Sequence, residues 1–252
     1  PRLSELSECE VYLKKDNLQV TGAFKIRGAY NKMATLSAEE RSKGVIAASA
    51  GNHAQGVAMA AQMFNARALI VMPESTPSKY GVEHGMSFVH PFEDEAVIAG
   101  QGTIALEILD ELDAFDAIIV PVGGGGLISG VASAIKAINP SIEVIGVSAL
   151  GAPAMKESFD AKKPIDSTTV RTIADGIAVR DTSSITLNHI LSSVDQIVSV
   201  DDEEIANAIL FLLERQKLVV EGAGAVGVAA LMHDKLPHLK GKKVVTILSG
   251  GN

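Results

Sequence analysis

The chain has a single cysteine, Cys9, which excludes an intrachain disulfide and points to a reducing compartment such as the cytoplasm. It has no uninterrupted apolar stretch of the length needed to span a bilayer, and its first residues carry no signal-peptide pattern, so nothing suggests export or a membrane. Basic residues are in the minority, 22 Lys and Arg against 30 Asp and Glu, and the net charge of -8 disfavours a nucleic-acid partner. That charge says little about a zwitterionic amino acid, whose recognition depends on local donors. What is present is 252 residues, 47% hydrophobic, enough for one large core or two modest ones.

Glycine is where the sequence is richest in meaning. Gly123-Gly124-Gly125-Gly126-Leu127 follows the apolar run Asp116 to Val122 and precedes a helical pattern, Ile128 to Ile138, so it reads as strand, glycine loop and helix start. Without side chains, successive backbone N–H groups can approach an oxyanion, and the dipole of the next helix adds to their attraction: the loop is a phosphate cradle. A mobile glycine linker is the bland alternative, but linkers are rarely wedged between a buried strand and an amphipathic helix. Two fingerprints fail. No Gly-Lys-Ser/Thr follows, which excludes a nucleoside-triphosphate loop, and in G-x-G-x-x-G the last position falls on Ser129, with the next glycine at Gly130. A small phosphorylated cofactor fits better.

Two further segments suggest how such a cofactor would be used. In Thr21-Gly22-Ala23-Phe24-Lys25-Ile26-Arg27-Gly28-Ala29 a lysine sits among small and apolar residues, which favours the neutral amine that forms a Schiff base, although a snorkelling surface lysine is the commoner case. Ser49-Ala50-Gly51-Asn52-His53 follows the short strand Val45–Ala48 and opens a helix running to about Phe64. This is a second anion-binding helix N-terminus, with the Asn52 amide and the His53 imidazole expected at its rim.

These residues carry a resemblance that covers nearly the whole chain. The sequence resembles the pyridoxal-phosphate enzymes of the tryptophan-synthase-β fold type, and within them the threonine/serine ammonia-lyases. Lys25 matches the Schiff-base lysine, and Ser49, Ala50, Gly51, Asn52 and His53 match the loop that receives the substrate carboxylate. Asn52 also matches the residue that bonds the cofactor's ring hydroxyl. Gly123, Gly124, Gly125, Gly126 and Leu127 match the phosphate loop. Val219 to Ala225, with Glu221, and Leu248 to Asn252, with Ser249, match segments around the pyridine ring, and Phe24 and Gly176 join the cofactor-binding set. The resemblance implies pyridoxal 5'-phosphate, catalytic roles for Lys25 and Ser249, and conversion of L-threonine or L-serine to a 2-oxo acid and ammonia, in isoleucine biosynthesis or threonine catabolism. It also implies a homodimer or homotetramer. A neutral Ser249 beside the ring nitrogen favours elimination over transamination.

Two alternatives lie within the family, serine racemase and 3-hydroxyaspartate ammonia-lyase. Racemases have a serine where this chain has Ala50, which cannot transfer a proton, so racemisation is the weaker reading. The acidic residues that hold a cation in many relatives are replaced by Ser148 and Ala154, so no metal is expected there. A non-catalytic amino-acid-binding relative would be expected to lose Lys25 or Ser249.

Strand patterns at Val45–Ala48, Ala68–Met72, Phe88–His90, Ala117–Val122, Glu143–Val147, Gln196–Val200 and Val244–Leu248 alternate with helical ones, which predicts an α/β protein with parallel sheets and flanking helices. The clearest helix is Asp201–Gln216, with Asp201 as N-cap and Glu204 completing a capping box. The resemblance divides the chain into a large cofactor domain, 1–43 with 99–252, and a small mobile domain, 44–98. The small domain looks incomplete near 79–85, where relatives carry a few tens of additional residues, and the expectation is a segment left out of the chain as written. The start at Pro1 and the end at Asn252 look like truncations.

Overall fold

The computed structural model describes residues 2–72 and 84–252, the side chain of Arg2 excepted. Most of the expected break, 79–83, therefore lies outside the described residues. Before it come α1 (Arg2–Ser7), β1 (Glu10–Lys15), α2 (Lys25–Thr35), α3 (Ala38–Lys43), β2 (Val45–Ala48), α4 (Asn52–Met63) and β3 (Ala68–Val71). After it come β4 (Ser87–Phe88), α5 (Glu95–Glu111), β5 (Ala117–Pro121), α6 (Gly126–Ile138), β6 (Glu143–Ala149) and α7 (Ala154–Ala161). α8 (Ser184–Ser193), β7 (Gln196–Val200), α9 (Asp202–Phe211), α10 (Gly222–Met232) and β8 (Lys243–Leu248) complete the chain. Among the described residues no helix is long and apolar enough to cross a membrane.

The strands form two sheets, ordered β1-β8-β5-β6-β7 and β3-β2-β4, and every strand pair is parallel. Side-chain alternation explains why both faces of the larger sheet are covered. Ala117, Ile119, Ile145, Val147, Val244 and Leu248 enter one core with Ala225, Val226 and Ala229 of α10. Ile118, Val120, Val144, Val245 and Ile247 enter a second core with Ile104 and Ile108 of α5 and Ile128 and Val131 of α6. α10 is buried almost all round, as a helix with no polar face must be.

A third core serves the smaller sheet. It joins Val45 and Ala47 of β2, Val57 and Ala60 of α4, and Val89 to Ile26, Ala29 and Met33 of α2. Phe24, one residue before α2, packs instead against the second core of the larger sheet. Lys25 lies between Phe24 and Ile26, so it stands at the seam of two cores.

The structure departs from the sequence reading in three places. β1 is an edge strand that the apolar pattern does not reveal, because polar Glu10, Lys14 and Lys15 occupy half of it. β4 is confined to Ser87–Phe88. The helix beginning after Asp201 is α-helical only to Phe211 and finishes as a π-helical turn, Leu212–Gln216, that ends on left-handed Lys217. Its capping box is present, with Glu204 N–H donating to Asp201 and Asp201 N–H donating to Glu204, each at 2.9 Å.

Candidate active site

The segment carrying Lys25 is stitched to the end of the chain. Ala23 and Gly250 form an antiparallel bridge, Phe24 N–H donates to the Ser249 carbonyl at 3.0 Å, and Gly251 N–H donates to the Gly22 carbonyl at 2.9 Å. Buried Ser249, which directly follows β8, is thereby held beside the lysine. Arg27 anchors the first turn of α2 from outside. Its guanidinium donates to both oxygens of Asp16, at 2.7 and 2.9 Å, and to both of Glu107, at 2.5 and 2.9 Å. The Glu107 carboxyl is held down to about 2 by that pairing.

Lys25 Nζ donates to the Pro91 carbonyl at 2.8 Å. Loss of solvent around the amine lowers its pKa to about 8, while the nearby Glu221 carboxylate acts in the opposite sense. The amine is thus poised near neutrality, as the apolar neighbours in the sequence suggest.

The glycine loop lies at the carboxyl end of β5. Gly125 has a φ of 89°, in the left-handed region, and a Cβ on Gly124 would come within 2.5 Å of the Phe92 ring. The first N–H groups of α6 have no intrahelical partner and face the same space. Thr186, far away in sequence, fixes the loop by donating its hydroxyl to the Gly124 carbonyl at 2.8 Å.

The Ser49–His53 loop lies at the carboxyl end of β2. Gly51 caps α4 without a side-chain bond, so the opening N–H groups of the helix are free to receive an anion, while the Ser49 hydroxyl accepts from Gly51 N–H at 3.1 Å. His53 is not at the rim, as expected from sequence. It is 3% exposed, and its Nε2 donates to the Val89 carbonyl at 2.8 Å, because it lies between α4 and the segment following β4. Burial lowers its pKa to about 3, so the ring is neutral, and its buried Nδ1 has no partner. Asn52 turns its amide nitrogen to both oxygens of Glu221, at 2.8 and 3.0 Å, and its oxygen to the Asn252 amide at 2.7 Å. Burial raises the Glu221 carboxyl above its ordinary range.

These groups surround one cavity of about 450 Å³. Phe24, Lys25, Ser49, Gly51, Asn52, His53, Gly123 to Leu127, Gly176, Glu221 and Ser249 all line it. Of the residues singled out from sequence, only Ala50 does not; it is exposed on the loop. Pro91 and Phe92, which the sequence reading passed over, also form the wall. Their only sequence signal is their place, just before the Asp94 cap of α5.

Residues 1–83 and 79–250 match the model of the pyridoxal-phosphate dependent enzymes. The chain belongs to this family. An L-threonine ammonia-lyase of Thermotoga maritima is 50% identical to this pyridoxal-phosphate enzyme, over 99% of this chain and 69% of its own length. That alignment runs 278 positions, so the relative carries residues that this chain lacks. The processed threonine deaminase isoform 2 of Solanum lycopersicum superposes with a TM-score of 0.94 at 37% identity, covering 100% of this chain and 82% of that one. Maize serine racemase superposes at 0.96 with 36% identity, covering 100% and 87%.

The residues present fit pyridoxal phosphate. The glycine cradle, which a Cβ at Gly124 would obstruct, suits its phosphate, and the Lys25 amine suits its aldehyde. Ser249, Glu221 and Asn52 place neutral or weakly acidic polar groups where its ring would lie between them.

Proposed function

We propose that this enzyme removes the hydroxyl and amino groups of L-threonine, and of L-serine, giving 2-oxobutanoate or pyruvate and ammonia. The observation that carries the reading is the position of Lys25 Nζ: lowered to a pKa of about 8, it shares one cavity with a phosphate cradle and an open helix N-terminus. The names of the Thermotoga and Solanum relatives support the substrate.

When bound, pyridoxal phosphate supplies the electron sink that makes the Cα–H of an attached amino acid acidic. The protein does the rest. Lys25 would hold the cofactor's aldehyde carbon, and its amine, when free, would take the Cα proton. The α4 N-terminus and the Ser49–His53 loop hold the substrate carboxylate and so fix which bond at Cα faces Lys25. Gly123 to Leu127 would hold the cofactor's phosphate, Phe24, Gly176 and Glu221 would lie against its ring, and Asn52 would bond its ring hydroxyl. Ser249 would offer its ring nitrogen a neutral hydroxyl in place of a carboxylate, a partner that suits elimination better than transamination.

The same reading divides the chain into a large domain, 1–43 with 99–252, which holds the five-stranded sheet, and a small domain, 44–98, which holds the three-stranded one, although Ile26, Ala29 and Met33 of α2 pack into the core of the smaller sheet. A cytoplasmic homodimer or homotetramer belongs to the same reading and is checked by sedimentation. The deciding assay measures 2-oxo acid and ammonia from L-threonine, L-serine and 3-hydroxyaspartate, with chiral analysis of the serine left over. Threonine is expected to give 2-oxobutanoate and ammonia in equal amounts, with leftover serine still in the L form. A serine pool that racemises faster than it is deaminated would instead support the racemase reading, which the likeness to the maize enzyme favours.

A further inference from the structure

Between β4 and α5 the chain crosses the cavity wall on residues Val89 to Asp94, with no regular secondary structure to hold it. Two backbone carbonyls of this segment are directed at the site. The Val89 carbonyl accepts from His53, the Pro91 carbonyl accepts from Lys25 Nζ, and Phe92 lies with its ring against Gly124 and its Cα and Cβ against Gly126. What shapes the segment is His90. Its Nδ1 accepts from the backbone N–H of Phe92 at 3.2 Å and of Glu93 at 2.7 Å, so one ring nitrogen closes the turn on both sides. The ring stands edge-on to Phe92 at 4.8 Å, and to Phe88 at 5.7 Å. Its Nε2 faces the Glu93 carboxylate at 3.4 Å, which suits a neutral imidazole protonated on Nε2 and accepting on Nδ1.

We propose that His90 is a positioning residue for the elimination: by closing the turn it aims the Pro91 carbonyl at the free Nζ of Lys25 and keeps that amine directed into the cavity. The proposal rests on Lys25 being the base. A carbonyl suits this task because it accepts from the amine in either protonation state without pinning a charge on it. Proline is suited to carry it, since position 91 has no N–H left to satisfy and a restricted φ. Without the Nδ1 acceptor, two N–H groups lose their partner and the turn relaxes. The carboxylate loop is tied to this segment through His53, whose bond to the Val89 carbonyl lies ahead of the turn that His90 closes, so substrate affinity should survive while proton transfer suffers.

The test compares H90L and H90F, which lack the acceptor, with H90N, whose Oδ1 can take the place of Nδ1, all as cofactor-loaded enzymes. Three readouts are taken: visible absorbance of the bound cofactor, kcat and KM for L-threonine, and hydrogen exchange at the amides of Phe92 and Glu93. H90L and H90F are expected to keep the absorbance and KM, to lose kcat by on the order of 10- to 100-fold, as misalignment of a reacting group does, and to exchange the two amides faster. H90N is expected to recover most of kcat and the slow exchange. The proposal is overturned by unchanged kcat or unchanged exchange in H90L and H90F, by H90N as impaired as they are, or by unfolding of both acceptor-free variants, which would make the residue structural. Turnover by a K25A variant that retains bound cofactor would instead break the reading of Lys25, whatever the His90 variants show.

Discussion

The two sheets share a parallel design and differ in how well they are covered. Every residue of β5 in the larger sheet is buried, and helices lie on both faces. In the smaller sheet all four residues of β3 are only partly buried, and β4 pairs with β2 through two residues. The site draws on both. Ser249 follows β8 and the glycine loop follows β5, so the groups suited to the cofactor stand on the well-buried sheet, while the carboxylate loop follows β2 in the thinly covered one. On the proposed reading, the parts that must keep a fixed geometry stand where opening is costly, and the loop that would answer to substrate stands where it is cheap. Asn52 is the cross-link, reaching from α4 to Glu221 and Asn252.

The largest expected effect breaks the fixed side. Lys25→Ala should abolish the visible absorbance of covalently held cofactor and lower turnover of threonine by at least about 1,000-fold, because the same amine is both anchor and base. Its thermal stability should change little, since among the described residues the removed amine makes one hydrogen bond, to the Pro91 carbonyl, and lies over the Phe24 ring. A borohydride-reducible link to protein in this variant would place the anchor on another lysine.

How much of this was legible in the sequence follows from how local each feature is. The two glycine-rich loops could be read because strand, small residues and helix start are consecutive, and their places at strand ends follow from the parallel pattern. The depressed pKa of Lys25 was anticipated from Phe24 and Ile26, yet its cause is that these neighbours belong to different cores, which no local window shows. Thr186 bonding the Gly124 carbonyl, and Pro91 and His90 shaping the wall beside Lys25, are contacts between distant segments with no signature of their own. β1 was missed because an edge strand need not be apolar on both faces. His53 was expected at the rim since an imidazole is usually solvated; it is buried between α4 and the segment after β4, where its Nε2 donates to the Val89 carbonyl.

A second prediction sharpens the comparison directly. Hydrogen exchange at Ile46, Ala47 and Ile70 of the smaller sheet should slow on saturation with a non-reactive threonine analogue, by roughly 10- to 100-fold, the scale of 1–3 kcal/mol of local stabilisation. Ile118, Ile119 and Val120 of the larger sheet should exchange at the same slow rate with and without it. Equal responses in both sheets would mean that they move as one body.

A smaller and graded effect is expected from pH. The Lys25 amine, lowered to about 8 by desolvation, must be neutral to attack an aldehyde, so capture of pyridoxal phosphate by cofactor-free protein should rise with pH and level off above about 8. Below that point the rate should fall about tenfold per pH unit, the fraction of neutral amine falling in proportion. Stopped-flow absorbance gives the profile; a plateau reached only near 10.5, the pKa of a solvated lysine, would show that the seam between the cores does not desolvate the amine.

The smallest effect concerns Ala50, the one residue of the carboxylate loop that is exposed and off the cavity wall. Racemisation needs a second proton donor on the face of Cα opposite Lys25, and a methyl group cannot serve. Ala50→Ser supplies a hydroxyl, but on a loop of the thinly covered sheet where position 50 is exposed and off the cavity wall. Racemised serine should therefore appear during turnover of the variant at roughly a tenth of the elimination flux or less, since an unassisted hydroxyl is a poor general acid. Chiral chromatography of unreacted serine reads it. Its absence, together with a clear slowing of exchange in the smaller sheet, would mean that the loop closes without turning position 50 inward. Racemisation by the wild-type enzyme at the rate of deamination would show that a group other than residue 50 works on that face.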